Sequence, residues 1–170
     1  MSDELSQIAL SVPQVTRFDT MRQFHQHLLV IMGRAQRNLF MFDPDFSRWN
    51  LQEKQTAAIL RQFLLSARYA HIQIATHNAK HLERACPHFL QLLREFGGAI
   101  ECRETHKNIK HLSDSFCVAD DVHVVRRFHC DHMRGAAEFD SKQNCAVPLE
   151  RFLNIWDAAD PCLGASTLGL

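Results

Sequence analysis

The chain has 170 residues, 46% hydrophobic and 22% charged, with 19 Lys+Arg against 19 Asp+Glu. This composition excludes a disordered or fibrous polymer, and at this length one folded domain buries roughly 70% of the surface its unfolded chain exposes, so neither disulfide nor metal is needed to hold a core. A formal net charge of zero supplies no global field toward nucleic acid or an anionic membrane, so any basic site must be local.

Residues 1–16, opening MSDELSQIALSVPQV, have a mixed pattern broken by Pro13 and read as an N-terminal arm. They begin acidic and hold no uninterrupted apolar stretch, and no run in the chain reaches the roughly 20 apolar residues of a membrane span, so a cytoplasmic protein is expected. Residues 17–160 read as one α/β domain and 161–170 as a C-terminal tail. From Thr20, the positions Phe24, Leu28, Ile31, Met32 and Ala35 fall on one helical face. NLFMFD (Asn38 to Asp43) is a buried strand closed by Pro44, which cannot continue a ladder. Ile59, Leu60, Phe63, Leu64 and Ala67 mark a second helix near Gln52 to Ala67, and HIQIAT (His71 to Thr76) alternates as a strand. Pro87 opens a helix carrying Phe89, Leu90, Leu93 and Phe96, and Gly97-Gly98 ends it, as glycine does at helix C-termini. AIECR (Ala99 to Arg103) is the next strand, and ETHKNIKHLSD is a polar loop dense in His and Lys.

SFCVA (Ser115 to Ala119) and VHVVRRF (Val122 to Phe128), separated by Asp120-Asp121, predict a β-hairpin. Ala136 to Asp140 adds a strand, and Leu149, Phe152, Leu153 and Trp156 mark a last amphipathic helix that stops by Pro161. The order of elements predicts a mixed β-sheet flanked by helices on both faces.

Six cysteines lie scattered without a CxxC pair, which predicts reduced, mostly buried thiols in a cytosolic protein. Eleven histidines raise the question of a metal. His77 and His81 are spaced i, i+4, but Asn78, Ala79 and Lys80 lie between them, without the Glu of a metalloprotease helix and with a lysine that repels a cation. His129-Cys130-Asp131-His132 places four ligand types in a row without a second pair at zinc-finger spacing. No metal is expected, and with no GxSxG elbow and no glycine-rich phosphate loop, no cofactor is expected either.

Ligands in α/β sheets bind beyond the carboxyl ends of the strands. That rule singles out Asp43 and Asp45 after the first strand, His77 and Asn78 after the second, and Glu104, His106, Lys107, Lys110 and His111 after the third. Asp43 before Pro44 is also a turn former, His77-Asn78 also a cap, and the His/Lys loop also a solvated one.

The apolar strand ending in aspartate, the tight turn, the second apolar strand and the preceding strand-helix-strand unit resemble the half-domain of the phospholipase D superfamily, over about Phe18 to Trp156. More narrowly, HLSDSFCVAD, then RGAAEFD, then LERFLNIWDAADP resemble a bacterial branch of that superfamily sometimes appended to acetyltransferases. Active superfamily members carry His-x-Lys-x4-Asp; one His attacks phosphorus, a second protonates the leaving oxygen, and the lysines hold the phosphate. Taking Asp120 as the motif's aspartate sets Ser113 in the place of the His and Ser115 in the place of the Lys, and Arg126-Arg127 stand where Gly-Ser is usual. In an extended approach His111 shares the face of Ser113, about 6.7 Å further along, which makes it the one candidate catalyst.

The resemblance implies a half-domain without the usual mechanism, a binding or accessory module for a phosphate-bearing ligand or, weakly, nucleic acid. Its expected contacts are His106, Lys107, Lys110, His111, Asp114, Asp120, Arg134, Asp43 and His77. Superfamily halves pack face to face, so a homodimer is expected. Two alternatives stand beside this reading: an active phosphodiesterase using His111, His106 and nearby lysines, and a structural interaction domain with no small-molecule site.

Overall fold

Alternation within NLFMFD decides the architecture. Leu39 and Met41 enter one apolar cluster while Phe40 and Phe42 enter another, and all four are buried; a strand buried on both faces belongs at the centre of a covered sheet. A computed structural model describes residues 14–164. In it this segment is β2 (Asn38–Asp43), near the middle of an eight-stranded mixed sheet. The other strands are β1 (Gln14–Phe18), β3 (His71–Thr76), β4 (Ile100–Thr105), β5 (Ser115–Ala119), β6 (His123–Arg127), β7 (Gly135–Phe139) and β8 (Ala159–Pro161). Their spatial order is β1-β7-β6-β5-β2-β3-β4-β8; β2, β3 and β4 run parallel, and every other pairing is antiparallel.

Four helices cover one face: α1 (Met21–Arg34), α2 (Lys54–Ser66), α3 (Lys80–Ala85) and α4 (Pro87–Glu95). Alone on the other face, α5 (Lys142–Asp157) packs Phe152, Ile155 and Trp156 against Phe40, Phe42, Phe116 and Val118. Helices thus flank both faces, as the element order predicts. Thr20 caps α1 by accepting the Gln23 N–H at 3.2 Å.

The hairpin forms between β5 and β6, with Ser115 opposite Arg127 and Phe116 opposite Arg126. Asp120 and Asp121 both take positive φ (52° and 62°), and Val122 N–H closes the turn on Ala119 O at 3.1 Å. Aspartate tolerates that conformation better than a β-branched residue does. Val122 therefore belongs to the turn and not, as expected, to the second strand.

Other boundaries differ from the sequence reading. β4 runs to Thr105, two residues into the segment read as a polar loop. β1 begins at Gln14, inside the segment read as an arm, and pairs with β7; its first four residues are exposed, so no core-facing alternation announces it. β8, unforeseen, forms across the expected boundary between domain and tail and lines the open edge of β4; three residues ending in proline are an edge strand that leaves no hydrophobic signal. Lastly, α5 starts well before Leu149, because Ser141 accepts the Asn144 N–H at 3.2 Å and Pro148 sits inside the helix. The rest of the expected arm, residues 1–13, and of the tail, residues 165–170, lie outside the described residues.

Candidate functional site

β2, β3, β4 and β6 end at the same edge of the sheet where β5 and β7 begin. Asp43, His77, the His106–His111 segment, Ser113, Ser115, Arg127 and Arg134 therefore converge there. Asp120, in the turn after β5, lies at the opposite edge. Its carboxylate accepts the N–H groups of Gln36, Arg37 and Asn38 at 2.8, 2.8 and 2.9 Å. Asp120 thus ties the hairpin to the start of β2 and shares no site with the other residues expected to touch a ligand.

The centre of the converging edge is filled by protein. Arg127 Nη2 donates to Asp43 Oδ2 at 2.9 Å and to Ser115 Oγ at 3.2 Å, and its Nη1 donates to Cys130 O at 2.8 Å. Asp43 Oδ2 and Ser115 Oγ also accept the Trp49 indole N–H, at 2.9 and 3.1 Å. Asp43 Oδ1 accepts the backbone N–H groups of Asp45 and Phe46, holding the loop that follows β2. The Arg127 guanidinium lies 4.9 Å from the Phe24 ring centroid. Asp43 and Arg127 are each 2% exposed. Burial lowers the pKa of Arg127 and the carboxylate of Asp43 opposes the shift; an arginine so paired stays charged at neutral pH. Cys130 N–H donates to Ser113 O at 2.6 Å, so the β6–β7 loop closes over the position that the motif alignment assigns to a nucleophile.

His77 is equally committed. Its Nε2 faces the carbonyl of Leu112 at 2.7 Å and its Nδ1 the hydroxyl of Thr105 at 2.5 Å. A carbonyl only accepts, so Nε2 carries the proton and Nδ1 accepts from Thr105. Burial pushes the His77 pKa below the ordinary 6.5, against the Leu112 carbonyl bond and with the help of Lys110. This is a neutral joint between β3, β4 and the approach to β5.

The remaining polar groups lie outside that plug. Asp114 is held by Arg151 through two contacts, at 2.6 and 2.7 Å. His106 Nε2 pairs with Asp160 Oδ2 at 3.0 Å. Lys110 Nζ donates to His77 O at 3.1 Å and stands 3.9 Å from Glu104. Lys107, at the start of a single 3-10 turn over Lys107–Ile109, and His111 are exposed and make no ion pair among the described residues. Arg134 is exposed at the far side of the edge, lining a groove with Asp19, Phe128, His129, His132 and Met133. A concavity of about 860 Å³ lies at the opposite edge between Arg37, Arg68, Tyr69 and Gly98 and contains none of the expected site residues.

Among the described residues, one group of side chains has metal-ligand chemistry: His129, Cys130 and Asp131 bring ligand atoms within 4.8 Å of one another. The Nδ1 of His129, however, already accepts the Asp131 backbone N–H at 3.1 Å, and the Asp131 side chain is 77% exposed. The three residues read as a self-satisfied turn. His81 lies on α3, away from the two bonds that engage His77.

A mixed sheet with helices on both faces and its converging edge at the ends of parallel strands is a phospholipase-D-like fold. Nuc from Salmonella typhimurium, a phospholipase D family member, matches with a TM-score of 0.61 at 14% identity, over 89% of this chain and 99% of that one. NucT from Helicobacter pylori matches at 0.61 and 11% identity, over 89% and 100%. TrmBL2, an archaeal chromatin protein described with a novel mode of DNA binding, matches at 0.65 and 15% identity, over 88% of this chain and 55% of its own, so the chain spans about half the length of TrmBL2. By sequence, the chain belongs to the family described as Domain of unknown function (DUF7931), whose model matches residues 20–168. No curated protein sequence matches it.

Sequence reasoning placed Arg127 in the hairpin but missed its role, and it missed Trp49 and Arg151 altogether. A partial signal for Arg127 existed. Counting back from a two-residue turn at Asp120-Asp121 sets Arg126 opposite Ser115, and because the turn also takes in Val122 the register moves by one and sets Arg127 there; the sequence thus narrows the cation on the rung of the missing lysine to one of two adjacent arginines. Trp49 lies only six residues beyond Asp43, but the loop between them has no periodicity that aims its indole back at the carboxylate; Arg151 lies 37 residues from Asp114, and only the tertiary fold joins them.

Proposed function

We propose that this domain is a non-catalytic phospholipase-D-like binding module that takes a phosphate-bearing ligand, nucleic acid above all, along the converging edge of its sheet. The observation that carries the reading is the buried Asp43–Arg127–Ser115 contact. The cation that stands in the lysine's place is already neutralised and out of water, and Ser113 and Ser115 supply no imidazole to attack phosphorus. A ligand phosphate would instead meet Lys107, Lys110, His106 and His111 on one side and Arg134 on the other. Asp114 is held by Arg151, Lys110 stands 3.9 Å from Glu104 and His106 faces Asp160, so the attraction for phosphate here is local and rests first on Lys107, which makes no ion pair among the described residues. DNA binding by TrmBL2, a protein sharing this fold, supports nucleic acid as the ligand class. We also propose that two copies pair, as superfamily halves do, and that relatives carry an acetyltransferase domain beside this one.

The catalytic half of this proposal is tested with bis-p-nitrophenyl phosphate. Wild type and His111→Ala should both release no more nitrophenol than buffer. Steady turnover in wild type that disappears in His111→Ala overturns the proposal and establishes His111 as a nucleophile or proton donor.

A further inference from the structure

We propose that Cys102 and Cys162 form a reversible cross-strand disulfide that staples the C-terminal strand to the edge of the sheet. This inference is independent of the proposed ligand. β4 would be an open edge were it not covered by β8, whose register sets Arg103 against Pro161, Glu104 against Asp160 and Thr105 against Ala159. One residue further along the same ladder, Cys102 stands opposite Cys162, and Cys162 N–H donates to Cys102 O at 3.0 Å. Directly opposed residues of an antiparallel pair have Cα atoms about 4.5 to 5.5 Å apart with side chains on one face. A disulfide spans that separation without moving the backbone. The two sulfurs already share a hydrogen bond at 3.1 Å.

The surroundings assign the two thiols different tasks. Cys102 is buried within the main apolar cluster, whereas Cys162 is half-buried at its margin. The hydrogen bond between the two sulfurs lowers the pKa of the Cys162 thiol and, with burial, raises that of Cys102. Cys162 is therefore the attacking thiol and Cys102 the resolving one. The oxidant class is a small-molecule disulfide such as oxidised glutathione. The Cys162 thiolate attacks one of its sulfurs, the reagent's S–S bond breaks, and one thiolate leaves as a mixed disulfide forms on Cys162. Cys102 gives its proton to the departed thiolate and attacks Cys162 Sγ, expelling the second reagent thiol. The protein loses two protons, that of Cys162 by way of solvent, and two electrons, and the reagent gains them as two thiols.

The consequence reaches the converging edge through Asp160, two residues before Cys162, which holds His106. Closing the bond would fix β8 against β4 and with it the carboxylate facing His106. None of the other four cysteines has a sulfur–sulfur contact among the described residues, and burial raises the thiol pKa values of Cys86, Cys117 and Cys145, that of Cys86 to about 11 and that of Cys145 to about 12.

The experiment equilibrates the full chain with glutathione buffers of increasing oxidised fraction, traps thiols by acid quench and alkylation, and maps the peptides by mass spectrometry. The expected product has lost two hydrogens, contains one link between the Cys102 and Cys162 peptides, and shows slower hydrogen exchange over 103–105 than the reduced chain. Cys162→Ser, which alters only a half-buried position and should fold, forms no link. Six alkylated thiols in the most oxidising buffer, a persistent glutathione adduct on Cys162, or a link between other cysteines overturns the proposal.

Discussion

Arg127 reaches across the hairpin and over the end of β2 to place its Nη2 2.9 Å from Asp43 Oδ2, with each residue 2% exposed. A buried ion pair with its remaining valences satisfied contributes little over a well-packed apolar pair, but an orphaned member costs much. Arg127→Met and Asp43→Leu are each expected to destabilise the domain by about 3–5 kcal/mol. The double variant should lose less than the sum, because neither charge is left alone. Urea denaturation followed by tryptophan fluorescence measures both; strictly additive losses would show that the pair does not couple.

Asp120 holds a different junction. Its three charge-assisted hydrogen bonds to the start of β2 and its positive φ suit aspartate or asparagine. Asp120→Ala should cost about 2–4 kcal/mol, combining lost bonds to a charged acceptor with the steric cost of alanine in that backbone region. Asp120→Asn, which keeps one acceptor and tolerates the backbone, should cost less. Equal losses for the two variants would contradict this account.

Gly135 starts β7 where no other residue fits. A Cβ added there would meet the backbone carbonyl of Arg126 and the ring of Phe18, and backbone cannot give way as a side chain tip can. Gly135→Ala is expected to lower stability by about 1–3 kcal/mol or more, the usual cost of overpacking. Thermal melts should show a clear fall, whereas Gly98→Ala, which meets no atom within 4 Å, should remain near wild type.

Stability should also fall in mild acid. Burial pushes the pKa values of His27, His77 and His123 below 6.5. A depressed histidine binds its proton more readily in the unfolded chain, so stability is full above the unfolded pKa of about 6.5 and is lost as pH drops below it toward the folded values. Urea midpoints should decline from pH 7 to pH 5. His77→Gln should flatten that slope at the cost of a lower midpoint; an unchanged slope would assign the effect elsewhere.

Much of the fold was legible because burial leaves periodic traces. NLFMFD alternates into two apolar clusters, Phe24, Leu28 and Ile31 share one face of α1, and Gly97-Gly98 separates α4 from β4. β1 and β8 left no such trace, since edge strands with exposed side chains are selected by backbone pairing. The site was legible only as a place on the sheet. Strand ends correctly gathered Asp43, His77 and the His/Lys segment, but composition could not reveal that Trp49 and Arg127 consume Asp43, that Thr105 and Leu112 consume His77, or that Arg151 consumes Asp114. Arg127, Thr105, Leu112 and Arg151 come from distant segments and Trp49 from the loop six residues on, and each converts an apparent ligand contact into a structural joint.

The central claim concerns the exposed lysines outside the buried plug, and a titration of labelled duplex DNA by fluorescence anisotropy tests it most directly. Wild type and Lys107→Ala/Lys110→Ala should be compared over a range of salt. Wild type should bind and should lose affinity as salt rises. The double variant should bind more weakly, with the slope of log affinity against log salt reduced by about 2, one for each lysine. Equal affinities for the two proteins, with equal salt slopes, would contradict the account.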